Sequence, residues 1–402
     1  MNLINKAKDK IKRHHERHTK LGYKFILSDG IAFVNQRDWD KIANDNTVFL
    51  SRNYLQAIES NSPDNTSQRY AMAYNEEGKP VVIVSCQVAE ISGENLMPQS
   101  KDDTIKVKVA RSYQERVLVC GNLVSSGLHG VGFASDLDAG MGWKIVAEIL
   151  YRVRQSEKLA GKIDFVMIKD IKGNKLAASE ILERFSYRRI QTDPDMVLDL
   201  GDEVTTFDDY LAILTGKYRN RLKKIIKTLD KAEIICEKLH LDEMMDKKLH
   251  QLYLAVETKS ATRLATLPLG YFLALQNQLG NNFSCYGIKQ DNELLGFVTT
   301  IKDKKEAVGY YVGIDYQANS QYPIYFRLLQ LVVQSAIDMN CNRVLFGRTA
   351  LGPKANLGAK PIDTFVWARH RVPLVNFIVR KLFRNMPFDT APQRSATQKL
   401  DK

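Results

Sequence analysis

Two long stretches of this chain share one order of hydrophobic periods. In the later one, apolar residues run or alternate over 283–289, 294–301 and 307–314, separated by polar turns at 291–293 and 303–305, which predicts three meandering strands. A polar break at 315–321 follows. Apolar positions at helical spacing over 323–339 then predict an amphipathic helix, 343–347 a short strand, and 348–363 a polar closing segment. The earlier stretch has strands at 69–74 and 80–90 around a Glu-Gly-Lys turn, a strand at 116–121, and the small-residue run GNLVSSGLHGVG at 121–132. A long amphipathic helix over 143–159, a strand at 163–168, a helix over 176–185 and a last strand at 196–200, after a turn at 193–195, complete it.

Between the two stretches, residues 201–206 are polar and without period, so the boundary falls there. Helices are predicted at 208–214 and 217–231, then at 243–257 behind an Asp242 cap and at 268–279 behind Pro268. A duplicated α+β unit explains the repeated order: a basic arm or helix at 1–22, a first unit at 23–203, a second at 204–372, and a closing piece at 373–402. Each unit should hold a mixed, mostly antiparallel sheet flanked by helices.

Charge sharpens this picture. Of the 402 residues 44% are hydrophobic and 26% charged, ordinary values for a globular chain, and no run reaches the ~18 apolar residues of a membrane span. The net charge of +12 is concentrated in 1–24, 217–231 and 369–402, each carrying +6, so the rest is net acidic. Basic clusters on such a body call for an anionic partner, whether nucleic acid, membrane surface or phosphorylated cofactor, or else are solvated faces. In 372–386, Leu374, Phe377, Ile378 and Leu382 lie close around a helix beside Arg380, Lys381 and Arg384, a pattern suited to an anionic membrane or to packing on the domain. The last residues, 389–402, read as disordered. Five scattered cysteines without a CxxC pair read as reduced thiols of a cytoplasmic protein, and the seven histidines offer no metal-ligand spacing.

Strand, loop, helix N-terminus, helix and strand over 310–363 form a natural holder for a phosphorylated ligand, because free backbone N–H groups and the helix dipole converge on the loop. Four stretches carry a family likeness: KYRNRLKK at 217–224, DNELLGFVTT at 291–300, YYVGID at 310–315 and FGRTALGPKANLGAKP at 346–361. The chain resembles the GNAT superfamily of N-acyltransferases, and more closely its tandem Fem-type and acetyltransferase-like branch. The likeness covers most of 205–370 and, more loosely, 45–200.

The resemblance implies an acyl-coenzyme A donor. Its pyrophosphate would meet backbone N–H groups between Asn319 and Tyr325, among Ser320, Gln321 and Tyr322, and its pantetheine arm would lie along 309–314, beside Val312 and Gly313. The superfamily's R/Q-x-x-G-x-G/A loop is absent, with 316–321 in its place and Pro323 opening the helix. The Fem-type branch implies aminoacyl-tRNA as an alternative donor, with 217–231 on its phosphates. The long heptad-patterned arm of those ligases has no counterpart in this sequence.

Acyl transfer to an amine needs a base, donors for the tetrahedral oxyanion and an acid for the leaving group. Asp315, ending a strand beside the loop, is the best-placed carboxylate, and equally a helix cap. Tyr310 or Tyr311 could protonate a thiolate; strand alternation puts one on each face. Glu257, near Lys259 and Arg263, could face the acceptor or form a surface ion pair. Arg348, Lys354 and Lys360 could bind phosphate or an acidic acceptor. The run GNLVSSGLHG could form a second anion cradle or a plain loop. The expectation is an N-acyltransferase using acyl-coenzyme A and a small-molecule or peptide amine, without a metal. The alternatives are an aminoacyl-tRNA-dependent transferase of cell-envelope peptide synthesis and a non-catalytic anion- or membrane-binding module.

Overall fold

A computed structural model describes residues 19, 21–92, 114–260, 263–377, 392, 394, 396 and 397. The basic arm at 1–18 and most of the closing piece beyond 377 lie outside the described residues.

The first half contributes β1 (Lys24–Ser28), α1 (Gln36–Asn46), α2 (Arg52–Ser60), β2 (Thr66–Tyr74), β3 (Pro80–Ser92), β4 (Gln114–Cys120), β5 (Val131–Phe133), α3 (Ala139–Ser156), β6 (Phe165–Ile171), α4 (Asn174–Ser179) and β7 (Arg188–Asp199). The second begins with α5 (Phe207–Ile213), α6 (Gly216–Asp230), β8 (Ile235–Lys238), α7 (Glu243–Glu257), α8 (Tyr271–Leu279), β9 (Phe283–Gln290) and β10 (Glu293–Asp303). It continues with β11 (Glu306–Ile314), α9 (Tyr316–Gln321), α10 (Ile324–Asp338), β12 (Arg343–Leu345), α11 (Leu351–Ala355) and β13 (Lys360–His370).

Local chemistry accounts for the boundaries. Asp138 and Asp242 accept the N–H groups of Met141 and Met245 and so cap α3 and α7. Thr206 and Asp209 form a reciprocal capping box on α5. The turn between β2 and β3 closes on the Asn75 side chain, which accepts the Lys79 N–H at 2.8 Å, with Gly78 in the left-handed region. The polar break at 315–321 is itself a short helix, α9. The turn expected at 193–195 is a bulge within one long strand, β7, opposite Asp363.

The halves are not sealed separately. One continuous sheet runs β1-β2-β3-β4-β6-β13-β7-β12-β11-β10-β9-β8, with β5 on the side of β3. The closing strands are exchanged: β13 of the second half pairs with β6 of the first, and β7 of the first with β12 of the second. Within each half one parallel pair, β4/β6 and β11/β12, precedes the exchange. One of the two main core clusters is therefore shared. Trp39, Phe49, Tyr54 and Tyr70 of the first half pack in it with Tyr253, Tyr271, Phe272 and Phe297 of the second. The chain returns a last time after β13: Ala396 is buried, its carbonyl accepts the Thr215 N–H at 2.8 Å, and Thr397 bridges Leu214. Those residues of the tail are docked on the start of α6 rather than free.

Candidate functional site

The site grows from an irregularity in β11. Pairing with β10 steps from Val298↔Val312 to Thr300↔Gly309, so Tyr310 and Tyr311 together oppose Thr299. This bulge overrides the alternation assumed from sequence, and both tyrosines belong to one face. Their rings meet edge-on at 4.9 Å. The bulge would leave a buried N–H without a ladder partner; the Thr299 hydroxyl accepts it from Tyr311 at 3.0 Å. On its other side β11 pairs with β12 only over Glu306–Val308, so from Gly309 onward that edge splays away from its neighbour.

Tyr310 joins the halves. Its hydroxyl lies 2.6 Å from that of Tyr271 and 3.1 Å from that of Tyr54. The Tyr54 hydroxyl also meets the side chains of Ser125 and Asn122. The Tyr311 hydroxyl donates to the Val124 carbonyl at 3.0 Å. The Ser125 hydroxyl is 2.9 Å from Nδ1 of His129, whose ring stacks on Phe49 with centroids 3.6 Å apart. Burial pushes the Tyr54 hydroxyl up to about 12 and those of Tyr271, Tyr310 and Tyr311 well above the usual phenol range, so all four are neutral donors at any physiological pH. Burial, then the nearby Lys169, Lys172 and Lys175, holds His129 well below the ordinary histidine range, which keeps its ring neutral. Asn122 Oδ1 and Gln87 Nε2 are buried there without a hydrogen-bond partner.

A second bulge faces the first. On β6, Lys169 and Asp170 together oppose Val366 of β13, with Asp170 at φ 58°. Lys169 Nζ donates to the carbonyls of Asn122 and Ser125 at 2.6 and 2.7 Å. Asp170 accepts the Gly127 N–H at 2.8 Å and pairs with Arg348. Nearby, Asp195 pairs with Lys172 at 2.6 Å and accepts the Gly347 N–H at 2.9 Å, while Lys354 Nζ donates to the Gly347 carbonyl at 3.1 Å. Burial lowers Lys354 to about 8. The ends of both parallel pairs thus converge on one junction, where four cations meet two carboxylates. The GNLVSSGLHG loop is part of it, held by Gln87 and Asp170 rather than left open.

Of the residues expected from sequence, Tyr310, Tyr311, Arg348 and Lys354 come together at this junction. The others are engaged elsewhere. Asp315 Oδ1 accepts the N–H groups of Gln317 and Ala318 and caps α9. Asn319 Oδ1 accepts the Tyr325 N–H at 2.9 Å, and the Ile324 N–H donates to the Tyr322 carbonyl at 2.8 Å, so the start of α10 is filled by the chain's own groups. The Ser320 hydroxyl donates to Gln317, and Gln321 is exposed. Val312 is half-buried, and Gly313 is covered so closely by Phe297 and the backbone at Leu252 that no larger residue fits. Glu257, at the end of α7, accepts from Thr266 at 2.7 Å and lies 3.8 Å from Arg263. Lys360 is exposed at the start of β13. Tyr54, Tyr271, His129, Lys169 and Asp170 were not singled out from sequence, since only strand exchange and the two bulges bring them together.

A scan against protein-family models and a search of curated proteins each gave no match. Among solved structures, the chain is similar to FemX, with a TM-score of 0.55 at 10% identity over 89% of this chain and 99% of that one. It is also similar to a tandem GNAT protein from the clavulanic acid biosynthesis pathway, with a TM-score of 0.50 at 11% identity over 87% of this chain and 99% of that one. The likeness is one of fold: this chain has a tandem GNAT-like fold, of the α+β class.

Proposed function

We propose that the chain is an acyltransferase that passes an acyl group from an activated donor to a small-molecule or peptide amine at the junction of its halves. The tandem GNAT-like fold supports the reaction class, but one observation carries the location. Neutral tyrosine hydroxyls of both halves converge on Tyr310 where β11 splays from β12.

In this mechanism the donor's acyl arm lies along the unpaired edge of β11 and its carbonyl points at the hydroxyl of Tyr310. The amine nitrogen bonds to the carbonyl carbon, and the Tyr310 hydroxyl, set by Tyr54 and Tyr271, stabilises the oxyanion. With a thioester donor the carbon–sulfur bond then breaks and the proton lost by nitrogen ends on the departing thiolate; with an aminoacyl ester the carbon–oxygen bond breaks and that proton ends on the departing hydroxyl. Asp315 and Glu257 both hold structural hydrogen bonds, so the amine enters as its free base. Arg348 and Lys354 receive an anionic part of the donor or acceptor.

Acyl-coenzyme A is the first donor reading. The second, aminoacyl-tRNA, is favoured by a specific observation. The Ile324 and Tyr325 N–H groups at the start of α10 are already taken by Tyr322 and Asn319, whereas Lys223, Lys224, Lys227 and Lys231 line a shallow groove on α6 without an ion pair among the described residues. Calorimetric titration with acyl-coenzyme A separates the two. Saturable binding supports the first; its absence, together with tRNA affinity that falls steeply with salt, supports the second.

A further inference from the structure

Exposed large apolar side chains stand on two segments that meet at one end of the first half's sheet, the end away from the Lys169–Asp170 bulge. β6 and β13 run antiparallel, with Phe165 beside His370, so the loop entering β6 and the segment leaving β13 emerge together. The two are tied: the Arg371 N–H donates to the Asp164 carbonyl at 2.7 Å, and the Arg371 guanidinium pairs with the Asp164 carboxylate at 2.7 Å. From the first segment projects Leu159, fully exposed, and from the second Leu374 and Phe377, 70% and 71% exposed.

Leu374 and Phe377 are three residues apart in a helical turn, so they share a face. The turn is fixed rather than frayed. Asn376 accepts the His370 N–H at 2.9 Å and donates to the Ser186 carbonyl at 2.9 Å, which turns its neighbours outward.

Two carboxylates beside this patch are engaged, Asp164 with Arg371 and Glu115 at 3.6 Å from His370 Nε2. Lys158 and Lys162, flanking Leu159, are exposed and make no ion pair among the described residues. Arg369 and Arg371 stand at the end of β13, just before Leu374. A protein partner would cover such side chains with a matching concave surface. Protruding Leu and Phe with two unpaired lysines on the adjoining segment instead suit a deformable, negatively charged apolar phase.

We propose that the surface formed by Leu159, Leu374 and Phe377 seats this protein on lipid bilayers containing anionic phospholipid. The apolar side chains enter the headgroup boundary, and Lys158 and Lys162 meet phosphates. The junction site is then held away from the bilayer, at the other end of the sheet.

The test is flotation of the full chain with phosphatidylcholine vesicles, with and without added phosphatidylglycerol. Wild type should float with the anionic vesicles, and less as salt rises. Leu374→Glu with Phe377→Glu should lower the bound fraction ~10-fold or more, with an unchanged melting temperature. Lys158→Glu with Lys162→Glu should remove the preference for anionic vesicles. Failure of wild type to float, or flotation unaffected by both double variants, overturns the proposal. So does a concentration-dependent dimer abolished by Leu374→Glu with Phe377→Glu, since that would assign the patch to a second copy.

Discussion

The hydroxyl of Tyr310, in the second half of the chain, lies 3.1 Å from that of Tyr54, in the first. Neither half could position this pair alone. Tyr54 stands on α2, and Tyr310 is turned toward it by a bulge that exists because Thr299 satisfies the extra N–H. The consequences of that arrangement are separable by mutation.

Tyr310→Phe removes the central hydroxyl and keeps the ring. With the donor to the oxyanion gone, kcat should fall ~10² to ~10³-fold while KM moves little. Tyr54→Phe leaves the Tyr310–Tyr271 contact in place and should cost less. Steady-state kinetics of the two variants give the comparison.

Thr299→Val is nearly isosteric but leaves the Tyr311 N–H buried without an acceptor. Unfolding in urea should show a loss of ~1–3 kcal/mol, and Thr299→Ser should recover most of it. Equal stability of Val and Ser variants would mean that the hydroxyl does not hold the bulge.

Arg348→Ala strands the buried Asp170 carboxylate, whose remaining partners are the Gly127 N–H and the more distant Lys169. The expected loss is ~3–5 kcal/mol. Adding Asp170→Asn should restore part of it, because the uncompensated charge is then absent. A double-mutant cycle on denaturation midpoints measures the coupling between the halves.

Lys354 gives stability a pH dependence. Its pKa is lowered to about 8 in the fold, from 10.5 when free, so between those values the unfolded chain binds more protons than the native one. Stability from this group therefore rises with pH across that window, and the cost of the buried charge, about 3 kcal/mol at most, is fully present below pH 8. Lys354→Met should flatten the slope of unfolding free energy between pH 8 and 10 and stabilise the protein at neutral pH.

Asp315→Ala removes an N-cap from α9. It should lower stability by ~0.5–2 kcal/mol and leave the transfer rate nearly unchanged. A fall of about a hundredfold in rate would instead make Asp315 a general base.

Much of this was legible in the sequence. The periods gave the meandering strands and long helices of both halves but not β1, β8 or β13, because long buried strands such as β3 and amphipathic helices such as α10 carry strong local signals and short or edge strands do not. Arg348 and Lys354 were singled out from their place after the last central strand, and they lie close to Asp170 and Gly347 in the fold. Three things were not. Strand exchange leaves no local trace, since β7 and β13 look alike whichever sheet they close. A bulge needs the partner strand's register, so the alternation rule placed Tyr310 and Tyr311 on opposite faces. His129 lies in a small-residue run that reads as a loop, and the partner of the Tyr54 hydroxyl, Tyr310, is supplied by the second half.

Acyl transfer at Tyr310 is read from thiol release from acyl-coenzyme A in the presence of an amine pool, with wild type and Tyr310→Phe compared at equal folded concentration. Wild type should show amine-dependent release, and the variant should lose ~10²-fold or more of it. Equal release by both proteins would place the transfer elsewhere.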